Sequence, residues 1–308
     1  MWFIILFIKK EEIQKKLGEL ILKIGLHDAD NTKYPNLALM KISAWHKAKG
    51  DNVLFCVPIM SKCFDRVYSS KVFTFTSETL LQGNVQKGGT GYLLFDKLSD
   101  EIEHICPDYS LYNIDYSMGF LTRGCPNHCG WCIVNKKEGN IFANADIDEF
   151  LRHKKVVLMD NNVLASDHGI EQIEKIANLN VKVDFNQGLD ARLIDDSIAR
   201  RLSKLKWLHP LRLACDCQSQ MPIIQKAVTL LRWHNTTPSR YFVYCLIEDV
   251  DEALERVRFL KGLSLDPFAQ PYIDFQNKII PTKRQKDFAR WVNHKAIFKS
   301  VEWKDYIK

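Results

Sequence analysis

The sequence has no apolar run approaching the roughly 18 residues that a membrane-spanning helix needs. Its longest, residues 1–8, is wholly apolar and is followed by Lys9 and Lys10. Eight residues are too few to span, and positive charge on that side does not suit a secretory signal. This stretch reads as a strand or helix start packed on the body, and no membrane partner is expected. Charge of one sign is nearly in balance too: the formal net charge is +6, and residues 283–308 alone hold eight Lys/Arg against three Asp/Glu. That falls short of the broad basic footprint of a dedicated nucleic-acid binder. Nine cysteines, an odd number without the density of a small secreted scaffold, speak against a disulfide framework and for a reducing, cytoplasmic setting.

What is present is a chain of 308 residues, 46% apolar and 26% charged, enough to bury one large core or two ordinary ones. Its chemistry gathers in Cys125, Cys129 and Cys132, spaced C-x3-C-x2-C. Thiolates favour zinc or iron–sulfur clusters over hard cations. No fourth cysteine follows at a short interval, so three thiolates can hold a centre with one position left open, and an open metal site usually serves chemistry. His128 offers a closed Cys3His zinc site as the alternative, although it adjoins Cys129. Gly124, Pro126 and Gly130 make the stretch a turning loop.

With Trp131 just before the third cysteine, the loop resembles that of the radical S-adenosylmethionine (SAM) enzymes, C-x3-C-x-aromatic-C. The resemblance implies that Cys125, Cys129 and Cys132 carry a [4Fe–4S] cluster whose fourth iron is chelated by SAM. It implies reductive cleavage of SAM to a 5′-deoxyadenosyl radical, with electrons from a donor such as flavodoxin or ferredoxin. Hydrogen abstraction, methyl transfer and methylthio transfer stay open, as does the substrate.

In chain order, residues 1–20 form an extension, with helical spacing over residues 11–22. Residues 21–105 read as a small doubly wound α/β module. Its strands lie at 22–26, 53–56 and 67–75, and its helix at 37–49 runs from an Asn36 N-cap to Gly50. The glycine turn of Gly88, Gly89 and Gly91 stands at a strand end, and Asp28 and Asp30 are weaker candidates for a substrate-facing edge. Some radical SAM enzymes carry a cobalamin-binding module of this kind, but His27 lacks the D-x-H-x-x-G setting, so cobalamin is not expected.

Residues 106–116 read as a linker. Beyond them, apolar runs at 118–121, 156–159, 181–185, 211–214, 242–246 and 272–275 alternate with helical patterns at 171–177, 194–205 and 252–260. Such alternation specifies a parallel sheet with right-handed crossovers. Six units match the partial (β/α)6 TIM-like barrel of the radical SAM family, here residues 117–280. In such folds chemistry collects where the strands end.

The strand ends supply the remaining candidates. Asp160, Asn161 and Asn162 stand where the family binds the SAM ammonium, with an Asx turn as the plain alternative. Gln187, Asp190 and Arg192 follow the third strand as substrate contacts, or as a pair bracing the rim. Asp216 is the family-like ribose contact, and Leu246, Ile247 and Glu248 are carried over for adenine, with Glu248 alternatively a helix cap. A second cluster on Cys215, Cys217 and Cys245 is conceivable but lacks loop spacing. Residues 281–308 form a basic helical tail whose aromatics also suit RNA. A zinc-stabilised or RNA-binding non-enzymatic protein is therefore the rival reading.

Overall fold

The computed structural model describes residues 21–236, 241–274 and 279–306. The apolar run at 1–8 and most of the helical pattern at 11–22 lie outside the described residues. The chain divides into two compact units between Ile114 and Asp115. Both are α/β with parallel sheets, and among the described residues no helix is long and apolar enough to cross a membrane.

The first unit holds β1 (Lys23–Asp28), α1 (Leu37–Lys49), β2 (Asn52–Phe55), β3 (Arg66–Ser70), β4 (Val85–Gly88) and α2 (Asp100–Glu103). Its four strands are parallel in the order β2-β1-β3-β4. Helix α1 begins where Asn36 Oδ1 accepts the Leu39 N–H at 3.2 Å. It ends at Gly50, whose φ of 90° is left-handed. Ile24, Leu26, Leu39, Ile42, Val53, Tyr68 and Ile102 close its core.

The expected strand 67–75 stops at Ser70, because the Asp30 carboxylate takes the Val72 N–H at 2.6 Å and the Thr76 hydroxyl and draws the chain out of the ladder. Asp28 likewise accepts from Tyr112 Oη at 2.7 Å, so both edge candidates bind the unit to itself. Much of the expected linker belongs here also. Asp108 accepts from Ser43 Oγ and Lys47 Nζ, each at 2.6 Å, and Tyr109 is buried.

The second unit opens with β5 (Ser117–Gly119), β6 (Thr122–Arg123), α3 (Val134–Glu138), β7 (Phe142–Ala143) and α4 (Ile147–Phe150). It continues through β8 (Lys155–Leu158), α5 (Asp167–Asn178), β9 (Lys182–Phe185), α6 (Asp196–Leu202), β10 (Lys206–Trp207), β11 (Leu211–Ala214) and α7 (Met221–Trp233). Then come β12 (Tyr241–Ile247), α8 (Val250–Gly262), β13 (Asp266–Pro271), α9 (Lys283–Asn293), α10 (Lys295–Ser300) and α11 (Trp303–Tyr306). One parallel sheet runs β10-β9-β8-β5, a second runs β11-β12-β13, and β6 and β7 form an antiparallel ribbon.

The last strand departs from expectation. It is Asp266–Pro271, paired with β12 from Asp266 opposite Phe242 to Pro271 opposite Ile247. Residues 272–274 lie past it, and Phe275 is outside the described residues. Prolines 267 and 271 disguise it, yet an edge strand tolerates them. Helix α9 completes that edge: Asn293 Oδ1 accepts the Ala269 N–H at 2.8 Å while its Nδ2 donates to the Ala269 carbonyl at 2.9 Å.

The C-terminal segment is part of this core. Phe288, Trp291, Val292, Phe298 and Trp303 are each at most 5% exposed. The rings of Trp291 and Phe298 meet edge to face at 4.9 Å. These aromatics offer no face to a base, which removes the main support for the RNA-binding alternative. Trp291→Ala is expected to cost about 3–5 kcal/mol, seen as an earlier urea midpoint for the second unit with little change in the first.

Candidate functional site

The cysteine loop leaves β6 and returns on β7, so the ribbon fixes both of its ends. Gly124 starts it with φ +80°, and a Cβ there would collide with the Asn140 carbonyl, so only glycine fits. The Cys125 N–H donates to the Gly139 carbonyl at 3.1 Å, and the Cys132 N–H closes a turn on Cys129 at 3.0 Å. Arg123 clamps the base, donating from Nε at 3.1 Å and Nη2 at 3.3 Å to the Glu138 carboxylate.

Beneath the loop, Asp160 at the end of β8 accepts the Thr122 N–H at 2.6 Å, its hydroxyl at 2.7 Å and the Leu121 N–H at 3.3 Å. Asp160 is 4% exposed and does not line the cleft, so its carboxylate fastens the ribbon rather than meeting a ligand. Burial pushes its pKa up to about 6, against the pull of the Thr122 and Leu121 donors.

The cleft has a volume of about 210 Å³. All three loop cysteines line it, with Asn127 and Trp131 from the same loop and Asn161 and Asn162 from the end of β8. Gln187, Asp190 and Arg192 come from the turn after β9, and Asp216 and Gln220 follow β11. Among the described residues no three His, Cys, Asp or Glu side chains are drawn together closely enough to hold a metal ion. The thiols nonetheless feel one another and Arg192. Burial raises the pKa of Cys129, Arg192 lowers it, and Cys132 and Cys125 raise it further.

Asp190 is the junction of the cleft. Its Oδ2 accepts from Asn127 Nδ2 at 3.0 Å and from Asn162 Nδ2 at 3.1 Å. Arg192 grips it from Nε at 2.7 Å and Nη2 at 2.8 Å. Asn162 is 3% exposed, and its Oδ1 is buried without a hydrogen-bond partner, an unmet acceptor in the cleft wall. Across the cleft, Asp216 accepts the Leu246 N–H at 2.9 Å while its own N–H donates to Gln220 Oε1 at 2.6 Å. Arg256, 1% exposed, donates to the Cys215 and Leu246 carbonyls at 2.6 and 2.8 Å and so holds this corner from behind.

Leu246, Ile247 and Glu248 do not line the cleft: Ile247 is buried, the helix cap is Asp249, and the Glu248 carbonyl accepts from Gln285. Cys215 and Cys245 are fully buried in the core, burial pushing Cys215 up to about 12, so neither is poised to bind a second cluster. Asn127 and Gln220 were not foreseen. Asn127 sits among the three residues between the first two cysteines, but its partner is 63 positions away.

No family model matches the chain, and no curated protein matches its sequence. Solved structures that are similar include two enzymes. The cobalamin-dependent S-adenosylmethionine radical enzyme OxsB superposes with a TM-score of 0.54 at 12% identity, over 91% of this chain and 56% of OxsB. Methylornithine synthase PylB gives a TM-score of 0.40 at 12% identity, over 66% of this chain and 71% of PylB. The chain thus spans a little over half the length of OxsB, and at this identity the likeness is one of fold. The fold likeness is to a protein described as a radical SAM enzyme, and the cysteine loop of this chain resembles that family's loop.

Asp160 carries a pH expectation. A carboxyl that holds its proton more tightly when folded favours the fold below its unfolded pKa of 3.8, and that contribution fades as pH rises through about 6. Between about pH 4 and 6, wild type should lose up to roughly 3 kcal/mol on this account. Asp160→Asn should flatten that slope in urea titrations, and an unchanged slope would contradict the assignment.

Proposed function

We propose that the chain is a radical SAM enzyme, its second unit a partial (β/α)6 barrel made of the two parallel sheets. One observation carries the reading: three cysteines with a single short loop spacing face one cleft whose wall holds the unmet Asn162 acceptor. The donor set suits a thiolate-held [4Fe–4S] cluster, and the orphaned amide oxygen suits an ammonium donor such as that of SAM. Cys125, Cys129 and Cys132 would hold the cluster, which with SAM supplies one-electron cleavage to methionine and a 5′-deoxyadenosyl radical.

The chain's own residues then bind, orient and exclude water. Cluster ligation needs thiolates, and Arg192 opposes the burial that would keep Cys129 protonated. Asn162 accepts from the SAM ammonium, with Asn161 beside it. Asp216, fixed through one oxygen by Leu246, takes a ribose hydroxyl. Trp131, 43% exposed, covers the loop side, while Leu189, Leu213 and Ile224 dry the floor. Gln187 and Arg192, which line the cleft, face the substrate. A small reducing protein such as flavodoxin or ferredoxin would supply the electron in a cytoplasmic setting.

A second reading concerns the first unit. OxsB is cobalamin-dependent, and the likeness extends over most of this chain. A corrinoid here would bind without His27 as a ligand, since that side chain is 7% exposed and its Nδ1 lies 2.9 Å from Ser69 Oγ. Unchanged hydroxocobalamin absorbance on mixing with the chain would end this reading.

Anaerobically reconstituted and reduced protein is expected to release 5′-deoxyadenosine from SAM. Cys129→Ala should abolish it, and Asn162→Ala should raise the KM for SAM about tenfold. A colourless protein that keeps one zinc ion and never cleaves SAM would instead establish the structural-zinc alternative.

A further inference from the structure

Asp190 has more partners than a rim salt bridge requires. One of its oxygens, Oδ2, receives amide protons from two separate elements, the cysteine loop through Asn127 and the end of β8 through Asn162. The other, Oδ1, caps the turn of residues 191–193 by accepting the Arg192 N–H at 3.1 Å and also accepts from Arg192 Nε at 2.7 Å. Asn162 Nδ2 in turn reaches Cys125 Sγ at 3.6 Å, so the carboxylate and the first cysteine share one amide. Arg192, gripped by the same carboxylate, acts electrostatically on Cys129 and Cys125. Burial would raise the Asp190 pKa, but Arg192 and Asn127 hold it below the ordinary value, keeping it an acceptor at neutral pH.

We propose that Asp190 is a positioning residue: it pins the cysteine loop to the end of β8 and holds the Arg192 cation beside the thiols, setting the loop to receive its metal centre. This rests on the metal-site reading above, but the pinning itself belongs to the protein without any metal.

The informative variant is Asp190→Asn. Asparagine keeps the size and the capping oxygen, while an NH2 group in place of Oδ2 faces the Asn127 and Asn162 amides donor to donor. In metal-free full-length protein, iodoacetamide should alkylate Cys125 and Cys129 about tenfold faster in the variant, the opening expected from losing charge-assisted hydrogen bonds. Cys63, exposed in the first unit, serves as the internal standard and should react at the wild-type rate. The thermal midpoint should stay near wild type. Asn127→Ala should speed alkylation alone but add little in the Asp190→Asn background, since both break the same link.

After anaerobic reconstitution, a chelator should strip iron from Asp190→Asn about tenfold faster than from wild type. Wild-type alkylation and stripping rates in the variant would overturn the proposal, as would full additivity with Asn127→Ala. If wild type takes up no iron, the metal reading fails. Faster alkylation would then still support the pinning, and unchanged alkylation would sink both.

Discussion

The carboxylate of Asp160 spends its oxygens on the backbone and hydroxyl of Thr122 and on the Leu121 N–H, and the site depends on that anchorage. A loop with glycines and a proline has little reason to hold one shape alone. Fixing the residue before Arg123 to the end of a core strand sets where the loop leaves the sheet, and the Arg123–Glu138 pair sets where it returns. Gly124 makes the turn that only glycine permits, and Asp190 ties the far side through Asn127. Buried carboxylates surrounded by donors are costly to disturb, so a polar scaffold of this kind rigidifies the loop it serves.

The opposite wall is built from behind. Cys215, Cys245 and Ile247 turn their side chains into the core under the helices, while Ala214 and Asp216 face the cleft. Arg256 links the carbonyls of Cys215 and Leu246, so the corner that carries Asp216 has a rigid support. Asn293 and the buried aromatics of the C-terminal helices close the open edge of this sheet. The basic residues of that segment stay at the surface because its apolar face is fully used.

Features set by local chemistry were readable from the sequence. Asn36 and Gly50 bracket α1 because an N-cap and a left-handed C-cap depend on neighbours only a few residues away. The cysteine loop was readable for the same reason. Features set across long sequence distances were not. The strand Asp266–Pro271 contains two prolines and became legible only once its edge position and Asn293 were known. Residues 72–75 carry a strand-like composition, but the Asp30 carboxylate, 42 positions from Val72, diverts them. Asp160 looked like a ligand because its chemistry suits one; its partners lie 38 and 39 positions upstream. Leu246 has its role through a backbone N–H, which side-chain identity does not reveal.

As a radical SAM enzyme, the chain would hold on Cys125, Cys129 and Cys132 a cluster with one position open to SAM. The direct measurement is the electron paramagnetic resonance spectrum of the reduced, anaerobically reconstituted protein with and without SAM. A [4Fe–4S] signal whose shape changes when SAM is added is expected, because SAM would occupy the iron that no cysteine reaches. A cluster signal that SAM leaves untouched, or a protein that carries zinc and no iron, would contradict it.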